Sequence, residues 1–146
     1  MYKLVAIDLD GTMLNQYGVV TQPTKEAILR AQEKGIEVMI ASGRPIDSVK
    51  TIAKDIKSEK YFVSGNGAII YDIQNNEIIY ENTLSKAKAL EIIKICEENS
   101  IYYNVYTEKE IIAKNLQYNV LYYHKENLTK AEEDKTHINI VDSIYD

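Results

Sequence analysis

The chain has 146 residues, 45% of them hydrophobic and 27% charged, the balance of a globular protein with a real core rather than a disordered one. Its net charge of −5, with no basic cluster to offset it, argues against nucleic acid as a partner. No apolar run approaches the roughly 18–20 residues that span a bilayer, and Met-Tyr-Lys before the first apolar run leaves no room for a signal peptide, so no membrane partner is expected.

The first predicted element is the apolar run at residues 4–7, which leads straight into Asp8-Leu9-Asp10-Gly11-Thr12. A run this short, ended by a glycine turn and lacking polar alternation, reads as a strand buried on both faces. Such strands belong to parallel α/β sheets, where ligands bind beyond the carboxyl ends. Asp8 and Asp10 sit at that end. If the chain stays extended, they point to the same side and stand roughly 6–7 Å apart, a gap that suits a small tetrahedral group. Two acids on a buried strand end are costly unless something cationic joins them. The plainer alternative is an Asp-Gly turn with capping carboxylates.

Residues 13–20 read as an irregular loop, with Asn15 and Gly18 as turn residues. Thr21 is a candidate N-cap and Pro23 falls in the first turn of a helix, where its missing N–H does little harm. Ala27, Ile28 and Ala31 form a narrow apolar stripe, and Gly35 ends the helix as a C′ glycine would. Residues 36–41 are a second apolar strand, which completes a right-handed βαβ crossover. That strand ends in Ala41-Ser42-Gly43-Arg44-Pro45, so parallel pairing brings Ser42 and Arg44 near the two aspartates. Pro45 opens a second helix with Ile46, Val49, Ile52, Ala53 and Ile56 on one face. A third strand at residues 61–63 ends in Ser64-Gly65-Asn66-Gly67. Three strands thus deliver polar, glycine-flanked residues to one edge.

From Ala68 the pattern changes. Two Ile-Ile-Tyr runs flank Asn75-Asn76, a strong hairpin signal. Residues 85–98 read as an amphipathic helix capped by Ser85, with Ala89, Ile92, Ile93 and Cys96 inward. Cys96 cannot form an internal disulfide and reads as a small buried residue, which fits a reducing, cytoplasmic setting. Residues 101–106 and 110–113 form a second predicted hairpin. Residues 118–123 are open between strand and helix, residues 128–135 are at best a short polar helix, and residues 138–141 are a last strand. Asp142-Ser143 looks like the start of a helix. The boundary between a first α/β unit and a second falls near residue 82.

Asp8-Leu9-Asp10-Gly11-Thr12, Ser42-Gly43-Arg44 and Gly65-Asn66-Gly67 together resemble the haloacid dehalogenase superfamily, and among its branches the Cof-type phosphatases with a large α/β cap. The resemblance implies an α/β fold: a Rossmann-like parallel-sheet core, here partial, over residues 1–82, and the start of a type IIB cap over residues 83–146. It implies a hydrolase of small phosphorylated substrates that needs Mg²⁺, with the Asp8 side chain and the Asp10 main-chain carbonyl on the metal. Phosphate and substrate contacts would come from Leu9, Gly11 and Thr12 in the first motif, Ser42, Gly43 and Arg44 in the second, and Asn66 in the third.

The residues support that chemistry on their own terms. A phosphate ester beside Asp8 and Asp10 gathers about four negative charges, each close pair repelling by roughly 4 kcal/mol even at an effective dielectric of about 20. A hard dication with oxygen ligands relieves this. Asp8 is then the candidate nucleophile, and Asp10 the acid that protonates the leaving alkoxide and later activates water, a role that asks for a raised pKa. Gly11 allows a turn that aims N–H groups at the phosphate. Thr12 either steadies that turn or is a plain turn hydroxyl, and Ser42 either bonds a phosphoryl oxygen or caps the next helix. Arg44 offers a planar fork to substrate or pairs with Asp47 at the surface. Asn66 takes either a site role or only a left-handed backbone.

The sequence also departs from the family. The later Lys and the Gly-Asp pair are missing, so the chain resembles roughly the first half of an enzyme, with a weak Mg²⁺ site and an open edge at residues 4–7 that invites self-association. The rival reading is a natural short protein that acts by binding or self-association. A receiver domain would carry its phosphoacceptor Asp where this chain has Ser64-Gly65-Asn66, and no Gly-x-Gly-x-x-Gly or Walker pattern supports a nucleotide fold.

Overall fold

A computed structural model describes residues 2–144. The chain divides into two compact units, Met1–Asn82 and Thr83–Asp146.

In the first unit, β1 (Leu4–Ile7) pairs in parallel with β2 (Glu37–Ile40), Leu4 opposite Glu37 and Ile7 opposite Ile40. Helix α1 (Gln22–Glu33) makes the crossover between them. Its end follows the expected glycine logic: Gly35 has φ +75° and donates to the Gln32 carbonyl at 2.8 Å, and Ile36 N–H reaches Ala31 O at 3.1 Å. Its start does not. Thr21 stands at the N-cap position, but its hydroxyl pairs with that of Thr24 at 2.9 Å instead of taking a backbone N–H.

Helix α2 (Ile46–Asp55) leads to β3 (Tyr61–Ser64), joined to the end of β2 by a parallel bridge between Ala41 and Val63. Ser42 N–H continues the ladder to Val63 O at 3.0 Å. Strands β4 (Ile69–Asp72) and β5 (Glu77–Glu81) add the predicted hairpin, with β4 antiparallel to β3. Asn76 takes φ +56° in its turn. The core gathers Leu9, Val38, Ile40, Val49, Ala53 and Phe62, with Phe62 stacked on Tyr71 at 5.1 Å between ring centroids.

β1 departs from the expectation of burial on both faces. Leu4 is 51% and Val5 40% exposed. Among the described strands β1 pairs only with β2 and forms the edge of the sheet, so its apolar composition is not matched by a covering neighbour. Residues 13–20 are also more ordered than a loop, since Leu14 and Val20 form an antiparallel bridge and both are buried.

The second unit begins with α3 (Lys86–Glu98), whose N-cap Ser85 accepts from Lys88 N–H at 3.4 Å. Ile93 is buried, but Ile92, expected inward, is 48% exposed. A residue next to a buried one is turned by about 100° on a helix, so only one of the pair can face a narrow core. Strands β6 (Asn104–Tyr106) and β7 (Ile111–Ala113) form the second hairpin, and β8 (Ile138–Ile140) pairs with β7 in parallel. The ambiguous stretch is a helix, α4 (Tyr118–Asn127), which puts Val120 and Tyr123 against Ile111 and Ala113. The polar stretch after it holds a single short turn at Glu132–Asp134. Residues 142–144 are not helical, and the rest of that expected helix lies outside the described residues.

Candidate active site

The parallel strands end side by side, and the polar motifs follow from there. β1 stops at Ile7, and the chain does not stay extended through the two aspartates as their spacing alone suggested. Leu9–Met13 winds into a wide turn in which Met13 N–H reaches Asp8 O at 3.2 Å and Leu14 N–H reaches Leu9 O at 2.9 Å. Leu9 is fully buried and anchors the turn. Gly11, at φ +76°, supplies the left-handed step that the turn requires. Both carboxylates are thereby carried into the open, contrary to the expected buried pair: Asp8 and Asp10 are exposed.

Their surroundings differ. Among the described residues the Asp8 carboxylate accepts one long hydrogen bond, from the Thr12 hydroxyl, at 3.5 Å. Asp10 is gripped by Arg44, whose Nε donates to Oδ2 at 2.9 Å and whose Nη2 donates to Oδ1 at 2.8 Å. This bidentate fork holds the Asp10 carboxyl below the ordinary carboxylate range, against the opposing effect of its partial burial. The raised pKa expected for an acid at this position is therefore not the resting condition. Arg44 is also buried, not a surface residue: it is 4% exposed, while the Asp10 side chain is 62% exposed.

The second and third motifs meet behind this pair. Ser42 is buried, and its Oγ accepts from Arg44 N–H at 3.2 Å, so it closes the local turn instead of capping α2, which starts at Ile46. Asn66 has φ +57° and donates its N–H to Ser42 O at 3.2 Å. Its side chain also lies against Gly43. Two further serines, without an expected role, are found here. Ser48 Oγ accepts from Arg44 Nη1 at 3.1 Å, and Ser64 Oγ donates to Arg44 O at 2.7 Å. Ser48 had a legible signal, being a hydroxyl on the same helical face as Ile52, four residues on.

A family model for haloacid dehalogenase-like hydrolases matches residues 5–146. The chain belongs to the haloacid dehalogenase-like hydrolase family. It is 36% identical over 109 residues to phosphatase YwpJ of Bacillus subtilis (strain 168), a match that covers 75% of this chain and 38% of that protein. Among solved structures, a haloacid dehalogenase-like hydrolase from Bacteroides thetaiotaomicron superposes with a TM-score of 0.78 at 26% identity, over 99% of this chain and 53% of that one. One from B. subtilis gives the same TM-score at 27% identity, over 98% and 55%. The chain thus spans about a third to two fifths of the first curated relatives it matches. Its α/β fold with a parallel sheet is that of the family, and the curated relatives it matches are named as phosphatases or putative phosphatases. No helix among its described residues is long and apolar enough to cross a membrane.

Proposed function

We propose that this chain carries the nucleophile-bearing part of a Mg²⁺-dependent phosphatase, which hydrolyses small phosphorylated metabolites through an aspartyl-phosphate. Residues 1–82 would be the partial core and residues 83–146 the beginning of a cap. The observation that carries the reading is the contrast between two carboxylates at one strand end. Asp8 is open to solvent and bonded only by Thr12 among the described residues, whereas Asp10 is held from behind by Arg44. Paired acids in unlike environments are what divided catalytic roles require.

In this reading the Asp8 carboxylate attacks phosphorus, the bond to the alcohol oxygen breaks, and the departing alkoxide takes a proton from Asp10. Water then loses a proton to Asp10 and attacks the phosphoryl group, which frees Asp8. With Arg44 in place Asp10 rests ionised, as the second step needs. The first step needs it protonated, and the incoming negative charge of the substrate pushes its pKa in that direction. Ser42 Oγ already accepts from Arg44 N–H, which leaves its own proton for a phosphoryl oxygen. The turn at Leu9, Gly11 and Thr12 offers main-chain N–H groups. Gly43 and Asn66 shape the loop, and Arg44, with its fork on Asp10, acts on substrate only through that residue.

The donor set is compatible with a sparse Mg²⁺ site. The groups on offer are the Asp8 carboxylate and the Asp10 main-chain carbonyl, since the Asp10 carboxylate is taken. Among the described residues no cluster of three or more His, Cys, Asp or Glu could hold a metal. Mg²⁺ commonly binds through one or two carboxylates with water and phosphate oxygens, so its affinity here depends on the phosphate. When bound, it screens the repulsion between Asp8 and substrate and polarises the phosphoryl group.

The test is to titrate the chain with Mg²⁺ and orthovanadate or beryllofluoride and follow backbone amide resonances. Perturbation centred on residues 8–12 and abolished by Asp8→Asn supports the reading. A response elsewhere, or one that survives Asp8→Asn, overturns it. Steady hydrolysis of an aryl phosphate by this chain alone should be slow.

The exposed β1 edge favours a second reading, self-association through Leu4 and Val5. Sedimentation at rising concentration tests it, and a clean monomer at the highest concentration removes it.

A further inference from the structure

A guanidinium with five N–H donors can present its fork in several directions, so burying one demands that its surroundings select the direction. At Arg44 two buried serines surround the residue from opposite ends. Ser64 Oγ donates to the Arg44 carbonyl at 2.7 Å, and Gly65 N–H reaches the same oxygen at 3.2 Å. At the far end of the side chain, Ser48 Oγ accepts from Nη1 at 3.1 Å. Nε and Nη2 form the edge of the guanidinium that meets both carboxylate oxygens of Asp10. Both serines are 1% exposed, so water does not compete for either hydroxyl.

We propose that Ser48 and Ser64 are positioning residues for Asp10, acting through Arg44: Ser64 fixes where the arginine leaves the backbone, and Ser48 fixes which edge of its guanidinium faces the carboxylate. The two serines come from different elements, α2 and the end of β3, so the direction of the fork reports the packing of that helix against the sheet. The value of this aim for catalysis rests on the reading of Asp10 as the proton-transferring acid and base. The geometry itself does not.

The test reads the fork directly. In the 146-residue chain, the Arg44 Nε–H cross-peak should be displaced and slow to exchange with water, and Asp10→Ala should abolish both properties and so assign them to the pair. Ser64→Ala and Ser48→Ala should each reduce the displacement and speed the exchange, whereas Ser64→Thr, which keeps the hydroxyl, should restore them. If the serines serve only the fold, the alanine variants lower the unfolding midpoint but leave the Arg44 signal unchanged in the folded protein, and the proposal fails. Where Ser48→Ala does not fold, Ser64→Ala and Ser64→Thr decide alone, because their contact is to the main chain at the loop. The response of residues 8–12 to vanadate is measured separately, so failure of the phosphatase reading and failure of this one are distinct results.

Discussion

Gly43 and Asn66 are fitted to each other: a Cβ added at Gly43 would lie 2.5 Å from Asn66 Oδ1 and 3.1 Å from its Cγ. The two residues belong to different strand ends, and the contact closes the second motif onto the third. Gly43→Ala should therefore destabilise the first unit by about 1–3 kcal/mol, the usual cost of overpacking. The collision is with one side chain, and Asn66 stands at φ +57°, a conformation glycine adopts freely. The double variant Gly43→Ala with Asn66→Gly should recover most of the loss. Urea unfolding of the two singles and the double measures the coupling, and simple additivity would show that the contact is not the cause.

Arg44→Met removes the fork but keeps much of the buried volume. The loss should be about 1–2 kcal/mol, below the roughly 3–5 kcal/mol for breaking a fully buried ion pair, because Asp10 remains largely exposed and can turn to water. The shift of the urea midpoint checks the size. A loss as large as that of a fully buried pair would mean that the carboxylate is more enclosed than its 62% exposure implies.

Acid should act on this protein partly through the same pair. Arg44 lowers the Asp10 pKa in the folded state, and the Asn75 N–H lowers that of Asp72. A carboxyl depressed by folding contributes stability that is fully present above its unfolded value, about 3.9, and is lost as pH falls through the folded value. Melting temperature should therefore hold from neutrality to about pH 5 and then fall, with Asp10→Asn less stable at neutrality and flatter below pH 4. Parallel melting curves for the two proteins across that range would contradict the assignment.

Phe62 is fully buried and stacked on Tyr71, so Phe62→Ala should cost the first unit about 3–5 kcal/mol. The second unit keeps its own core of Ile111, Ala113, Val120 and Tyr123. Hydrogen exchange should accelerate across β3 and β4 while β7 stays protected. Loss of protection in both units together would mean that they unfold as one.

Most elements were legible because their signals are local. Gly35 stops α1 through its own backbone freedom, Asn75-Asn76 turns the first hairpin, and Ser85 caps α3 by reaching three residues along. The motif residues were legible for a related reason: each follows a short apolar run, and parallel strands bring such ends together. The stretch at residues 118–123 was not, since its tyrosines and valine suit either period until Val120 and Tyr123 pack together on the face of β7.

Taken alone, the sequence determined the order of strands and helices, the three polar ends they carry, and the two acids that head the chain, because spacing, caps and turns act between near neighbours. Only the tertiary structure decided what each polar group faces. Arg44 and Asp10 are 34 positions apart, and their pairing depends on the end of β2, the turn after β1 and the serines at positions 48 and 64. It set the state of Asp10 opposite to what its proposed task suggested. Of the two expectations for β1, the open edge agrees with its single described partner strand, whereas burial on both faces does not, since burial depends on which neighbours a strand has and not on its composition.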